Sequence, residues 1–273
     1  MEWEPRDLPE NNVTDVHPLK ELLTLVVGIA IATVLLTLLI AGVLDFGVRM
    51  LPTEWEARLF SGLWTDMEAD DDERLASVRS LLDRLGTHWE ENPYELQLFI
   101  IDSEDPNAFA LPGGAIGITQ GLLDTVDSEN ELAFVLAHEL GHFNGRHHLR
   151  GVSRSVAITM VLAVVTGGSS GTLLTQWVAE ITGLGFAREH EREADRFGLE
   201  LVAGEYEHVG GATHFFEKLG EIHAEEEASR MGAWLATHPI SPERVSAMKR
   251  LARTRHWRVD GELTTLDPSF GAR

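Results

Sequence analysis

Residues 138–142 read His-Glu-Leu-Gly-His, so that a carboxylate stands between two imidazoles. On an α-helix His138 and His142 lie one turn apart and point the same way, and both can bind one metal ion. A zinc ion lowers the pKa of a bound water to about 7. Glu139 is placed to take the proton of that water as it attacks a carbonyl group. The competing interpretation is a chance pattern on a helix with surface histidines.

A helix is predicted at this place from its start signal and from its apolar face. Ser128 and Glu131 have the spacing of a capping box, in which each side chain bonds a free backbone N–H at the helix start. The apolar face is formed by Leu132, Val135, Leu136, Leu140 and Phe143.

A catalytic zinc ion needs a third protein ligand and one open position. The chain has no cysteine, so only His, Asp or Glu can supply that ligand. The richest segment is 188–195, with acidic residues at Glu189, Glu191, Glu193 and Asp195. Spacing alone leaves all four open, and a solvated helix face remains an alternative for each.

Together, residues 138–142 and the later Glu-Arg-Glu-Ala-Asp at 191–195 resemble the HtpX-like, BepA-like and CAAX-protease-like zinc metallopeptidases, peptidase family M48. The resemblance implies an α+β, mostly helical zincin-type (gluzincin) domain with a small sheet and one Zn²⁺ per chain. It also implies that Glu191 is the third ligand. Asp195, one turn further on, would then fix the orientation of a ligand histidine.

Two further segments fit the same family. His238 and Pro239, followed by Arg244, resemble its His-Pro…Arg element, which implies one of two roles for His238. It either stabilises the oxyanion of the tetrahedral intermediate or caps the zinc ion and holds the enzyme inactive. From the residues alone, the segment is equally typical of a helix start with Pro239 in the first turn.

Residues 107–114 resemble the strand and turn beside the family's active cleft. The resemblance implies an edge strand that pairs with an extended substrate backbone, formed by Ala108, Phe109, Ala110 and Leu111. Backbone pairing reads few side chains, so loose sequence specificity is expected. An ordinary hairpin is compatible with the same residues.

The remaining domain must place these groups together. Apolar spacing predicts a helix around residues 75–85, and short apolar runs predict strands at Leu96–Ile101 and Ala115–Thr119. From Gln120 the pattern is helical almost to the end of the chain. The histidines without a recognisable pattern are expected to be ordinary surface or core residues: His147, His148, His190, His208, His214 and His223.

Residues 22–44 carry no charge over a length that crosses a hydrocarbon core, at about 1.5 Å per helical residue. We predict a transmembrane anchor here, after an acidic flexible tail (1–21) and before a juxtamembrane helix and linker (45–72). A cleaved signal or a buried helix is the alternative. Residues 155–179 are also uncharged, but they lie between His142 and Glu191. If both bind one zinc ion, they must lie on the same side of the membrane, and a single crossing between them is then excluded.

The net charge of −22 makes nucleic acid an improbable partner. The expected function is a membrane-anchored zinc endopeptidase for unfolded, damaged or membrane-associated proteins. By family analogy it would lie in a bacterial inner membrane with the catalytic domain on the periplasmic side. The alternatives are a non-enzymatic membrane adaptor with a structural zinc ion and a hydrolase of non-peptide bonds.

Overall fold

The computed structural model describes residues 17–50, 52–60, 73–149, 187–218 and 238–268. These residues are mostly helical with one small sheet, as predicted. The elements are α1 (Pro18–Met50), α2 (Thr53–Phe60), α3 (Glu73–Thr87), β1 (Gln97–Ile101), β2 (Ala108–Leu111), β3 (Ala115–Thr119), α4 (Gln120–Thr125), α5 (Glu129–Asn144), α6 (Arg188–Tyr206) and α7 (Pro242–Thr254). The predicted tail up to residue 16, most of the linker and the apolar stretch 155–179 fall outside the described residues.

Helix α1 is longer than the predicted anchor. Among the described residues it is the one helix long and apolar enough to cross a membrane, by length and composition, over Pro18–Val43. Its leucines point outward rather than into the domain, and Leu35 and Leu39 are both more than 60% exposed. Within the described residues this exposure favours the anchor or the cleaved signal over a buried core helix.

The sheet has the strand order β1-β3-β2. β1 runs parallel to β3, and β2 runs antiparallel to it, with Leu111 opposite Ala115. Gly113 and Gly114 both adopt positive φ in the turn between β2 and β3, a conformation that glycine reaches without steric cost. Within the described residues β2 is therefore an edge strand.

Helices α5 and α6 approach so closely that their backbones touch. A Cβ atom at Gly141 would lie 2.6 Å from Ala194 Cα, and one at Gly198 would lie 3.1 Å from the backbone nitrogen of His138. Because glycine has no side chain, the two helices can pack at this distance. The crossing brings the 138–142 segment of α5 against the 191–195 segment of α6.

Of the two hydrogen bonds in the predicted capping box, the structure shows one. The Ser128 hydroxyl accepts the N–H of Glu131 at 3.3 Å, as expected for an N-cap. The Glu131 carboxylate instead accepts the N–H of Asp127 at 3.1 Å, one residue before the cap. Pro239 also lies outside a helix, because α7 begins at Pro242 after the N-cap Ser241.

Candidate metal centre

The two histidines of α5 are fully buried and converge. The Nε2 atoms of His138 and His142 lie 3.1 Å apart. Because residues four apart share one face of a helix, both rings extend to the same side of α5. Their two nitrogens therefore form one edge of a potential ligand cage.

Helix α6 adds one carboxylate to this edge. The Glu191 oxygens lie 3.5 Å from His138 Nε2 and 3.4 Å from His142 Nε2. Glu191 and Asp195 are buried, whereas Glu189 and Glu193 are exposed. Burial thus separates the four acids that spacing alone left open, and it favours Glu191 as the group that faces both histidines.

His238 is the fourth member of the cluster. Its Nδ1 lies 3.2 Å from His138 Nε2 and 3.3 Å from the nearer oxygen of Glu191. One ligand atom from each of the four residues lies within 4.8 Å of all the others. A tetrahedral zinc ion with bonds of about 2.0–2.2 Å holds its ligand atoms about 3.3–3.6 Å apart. The donor set and its spacing therefore fit a small tetrahedral cation.

Glu139 lies beside the cluster without belonging to it. Its side chain is fully buried. One oxygen is 3.6 Å from His238 Nε2. Burial raises the pKa of Glu139 above its usual value, although nearby His238 and His138 oppose the shift. A carboxylate with a raised pKa next to a metal site is suited to accept and return a proton.

Asp195 lies on the side of His138 that faces away from the cluster, and Arg244 binds Asp195. An Asp195 oxygen lies 3.1 Å from His138 Nδ1, which leaves Nε2 to face the cluster. The Arg244 guanidinium donates to both Asp195 oxygens at 2.6 and 2.7 Å, and its third nitrogen lies 2.6 Å from Glu191. Burial alone would raise the pKa of Asp195, but Arg244 holds it below its usual value. Arg244 thereby links the third candidate ligand to the support of the first.

His142 is supported by a residue that the sequence did not single out. The Nδ1 atoms of His142 and His147 lie 3.1 Å apart, and His147 Nε2 lies 3.0 Å from a Glu193 oxygen. The expectation that His147 is an ordinary residue misses this contact. A five-residue separation across the end of α5 matches no helical spacing, so only the turn after the helix brings the two rings together. His148 is buried too, but its partner is Glu56.

Strand β2 lies next to this part of α5. The backbone of Ala110 hydrogen-bonds the Glu139 carboxylate, which lowers the pKa of Glu139 and so opposes the effect of burial. The predicted substrate strand is thus adjacent to Glu139, with Phe109 partly buried and the other three residues buried: Ala108, Ala110 and Leu111. The Thr119 N–H donates to the Asn107 carbonyl. Alternation along an antiparallel ladder then directs the backbone groups of Ala108 and Ala110 away from β3.

Several known metalloendopeptidases are similar to this chain. The human mitochondrial metalloendopeptidase OMA1 is 28% identical over 203 residues, which cover 68% of this chain and 38% of the relative. The Schizosaccharomyces pombe OMA1 is 28% identical over 80% of this chain and 58% of its own length. The beta-barrel assembly-enhancing protease of Escherichia coli is 28% identical over 64% of this chain and 38% of its own. The chain therefore spans less than two thirds of these relatives.

The family model that matches is that of peptidase family M48, over residues 69–252. The matched range contains both helices of the cluster and all four of its candidate ligands. It begins near the predicted start of the globular domain and leaves out α1 and α2. The resemblance drawn from the two motifs is confirmed, and the chain belongs to peptidase family M48.

Proposed function

We propose that this chain is a zinc-dependent endopeptidase of the zincin (gluzincin) type. The observation that carries the proposal is the convergence of His138, His142 and Glu191 at 3.1–3.5 Å with the buried carboxylate of Glu139 beside them. Two histidines and one glutamate form a donor set found in catalytic zinc sites. A bound zinc ion would polarise the peptide carbonyl and make water acidic enough to react near neutral pH.

The protein's own residues perform the proton transfer and the positioning. Glu139 takes a proton from the attacking water and returns it to the departing amine. Asp195 holds His138 in the tautomer that presents Nε2. Arg244 balances the charges of Asp195 and Glu191, which would otherwise repel each other in the interior.

The test of this role is Glu139→Gln in the full-length protein. The variant keeps its volume but cannot accept a proton, so zinc content should remain one ion per chain while hydrolysis of unfolded casein falls by several orders of magnitude. Metal analysis and fluorescent casein cleavage measure the two quantities. Casein cleavage at the wild-type rate by Glu139→Gln contradicts the mechanism.

The position of His238 favours the capping role over the oxyanion role. Its Nδ1 occupies the fourth corner of the cluster, where a catalytic site keeps a position open. In this arrangement His238 must move before a substrate carbonyl can enter. His238→Ala should then raise the rate of casein cleavage. An oxyanion role predicts instead a loss of about 100-fold to 1,000-fold, and an unchanged rate contradicts both.

The same four-residue cluster supports one second candidate, a non-enzymatic membrane adaptor with a structural zinc ion, because structural sites are closed by four protein ligands. The two functions differ in the His238→Ala variant. An adaptor should lose zinc affinity and gain no hydrolysis of any peptide, ester or amide. A peptidase should keep zinc through its three remaining ligands.

We infer that the substrate is an extended segment of an unfolded or misassembled protein. The support is β2, an edge strand beside Glu139 whose outward backbone groups can pair with a peptide. Peptides N-methylated at one backbone nitrogen near the cleavage site should be cut at least tenfold more slowly than their parents. Matched peptides with changed side chains should differ little. Equal rates for methylated and parent peptides contradict backbone pairing.

We also propose that α1 anchors the chain in a bacterial inner membrane with the catalytic domain in the periplasm. The length and the exposed apolar surface of α1 support the anchor, whereas the periplasmic side rests on family analogy alone. Proteinase added to spheroplasts should digest the catalytic domain without detergent. If the proteinase digests the catalytic domain only after the spheroplasts have been lysed, the proposed periplasmic side is wrong.

A further inference from the structure

Helix α2, which follows α1 after two residues, contributes one fully buried acid to the catalytic domain. This acid is Glu56, whose side chain is enclosed by three partners from another part of the chain. One oxygen lies 2.6 Å from His148 Nε2. The other accepts the Tyr94 hydroxyl at 2.9 Å and the Arg146 Nε–H at 3.1 Å. Both oxygens are therefore fully engaged by residues outside α2.

Two of these partners flank His147. Arg146 lies in the turn that ends α5 and adopts a left-handed φ of 52°, and His148 lies in the helical residues directly after that turn. The turn is tight at Gly145 as well, because a methyl group there would overlap the His147 ring. By binding the residues on both sides of His147, Glu56 fixes the turn that brings this ring to within 3.1 Å of His142.

A second chain of contacts also connects Glu56 with His142. His148, which Glu56 holds through Nε2, places its Nδ1 3.4 Å from the backbone carbonyl of His142. A buried carboxylate costs several kcal/mol unless it is paired and hydrogen-bonded. Burial alone would raise the pKa of Glu56, but His148, Tyr94 and Arg146 lower it, so the group is charged and firmly held. The turn cannot shift without breaking this network.

We propose that Glu56 is a positioning residue for the metal site, which acts through the 146–148 turn and His147 on His142. The proposal rests on the proposed function, because it assigns to His142 the role of a metal ligand. It adds the juxtamembrane helix α2 to the machinery of a site whose candidate ligands all lie in the matched family range. A change in the position of α2 would thereby reach the metal centre.

The first experiment compares Glu56→Ala with Glu54→Ala in the full-length protein in detergent. Glu54 is on the same helix but exposed, and it serves as the matched control. Loss of a group that touches a metal ligand typically weakens metal binding by about 10-fold to 100-fold. Because Glu56 is one contact further away, we expect about threefold to tenfold weaker zinc binding, measured by chelator competition. The value of kcat should fall while KM stays constant, and Glu54→Ala should match the wild type.

Glu56→Gln tests the charge separately. It retains an oxygen for Tyr94 and Arg146, so we expect a smaller loss of zinc affinity than in Glu56→Ala. Hydrogen exchange of residues 142–149 should be fastest in Glu56→Ala and slowest in the wild type. If Glu56→Ala lowers only the thermal unfolding temperature, with zinc affinity and kcat unchanged, the role is purely structural and the proposal is wrong.

A double-mutant cycle with His147→Ala tests the route. If Glu56 acts mainly through His147, Glu56→Ala should weaken zinc binding clearly less in the His147→Ala background than in the wild type, because only the contact through His148 then remains. Equal losses in both backgrounds contradict the route. Zinc affinity and hydrogen exchange are measured without substrate, so these results stand even if the wild-type protein cleaves no peptide, in which case the proposed function alone fails.

Discussion

The two histidines of α5 are alike in burial and separated by one turn, yet they are supported in different ways. His138 is backed by Asp195 and Arg244, which are both buried and joined by two short hydrogen bonds. His142 is backed by His147 and then by Glu193, whose side chain is 47% exposed. The residues behind His138 form a buried ion pair, whereas the outer residue behind His142 is exposed to solvent. Two candidate ligands on one helix are thus supported by partners of very different exposure.

Arg244→Ala should have the largest effect on the His138 side. It leaves two buried carboxylates, Asp195 and Glu191, without their shared cation. Breaking a buried pair in this way costs about 3–5 kcal/mol. We expect a loss of that size in the free energy of unfolding of the metal-free protein, measured by denaturant titration. A loss below about 1 kcal/mol would show that the pair is screened, as at a surface.

Asp195→Asn should come next. The variant keeps the shape of the side chain but removes the charge that faces His138, so zinc affinity should fall about 10-fold to 100-fold. The stability effect has a defined pH dependence. Burial would raise the pKa of Asp195, but Arg244 lowers it. The advantage of the wild type is then complete above the unfolded pKa of about 3.9 and disappears as the pH falls through the lower folded value.

These two quantities are measured by chelator competition at pH 7 and by thermal unfolding between pH 2 and 7. If the stability difference between wild type and Asp195→Asn grows as the pH falls, the sign is reversed and Asp195 is not held ionised by Arg244.

On the His142 side, His147→Ala should weaken zinc binding by about tenfold, the lower end for a group that touches a ligand. Its outer partner is exposed, so water can replace part of what is lost. The control is His214→Ala, because His214 is 54% exposed and outside the ligand cluster. A loss as large as that of Asp195→Asn would remove the difference between the two sides.

Glu193→Gln should have the smallest effect. Exposed ion pairs contribute about 0–1 kcal/mol, so zinc affinity should change by less than about fivefold, and the change should shrink at high salt. Chelator competition at two salt concentrations measures it. A salt-independent loss of 10-fold or more would show that Glu193 acts as a buried group.

The sequence predicted those parts of the site that depend on local geometry. The separations of His138, Glu139 and His142 follow from helical geometry, and short apolar runs predicted β1 to within one residue and β3 at its observed place. Of the four acids on α6, burial distinguishes Glu191 and Asp195, and burial depends on how α6 packs. The family resemblance supplied that choice in advance. The roles of all these residues stay predictions until variants are measured.

His147 and Glu56 could not be found in this way. His147 reaches His142 through a turn with a left-handed residue, which has no fixed periodicity. Glu56 lies 92 positions from its partner His148, and its acidic character is typical of a solvated helix. Only the folded chain shows that it is buried. The 155–179 stretch lies outside the described residues, so its predicted topology stays a prediction.

The close approach of α5 and α6 has one further consequence. Because Gly141 meets the backbone of Ala194, and Gly198 that of His138, the distance between the two helices is set by main-chain atoms and not by compressible side chains. The spacing between the candidate ligands of α5 and that of α6 is then set at positions that are not candidate ligands themselves. We therefore expect the fit of this cluster to a cation of a given radius to change if either glycine is replaced.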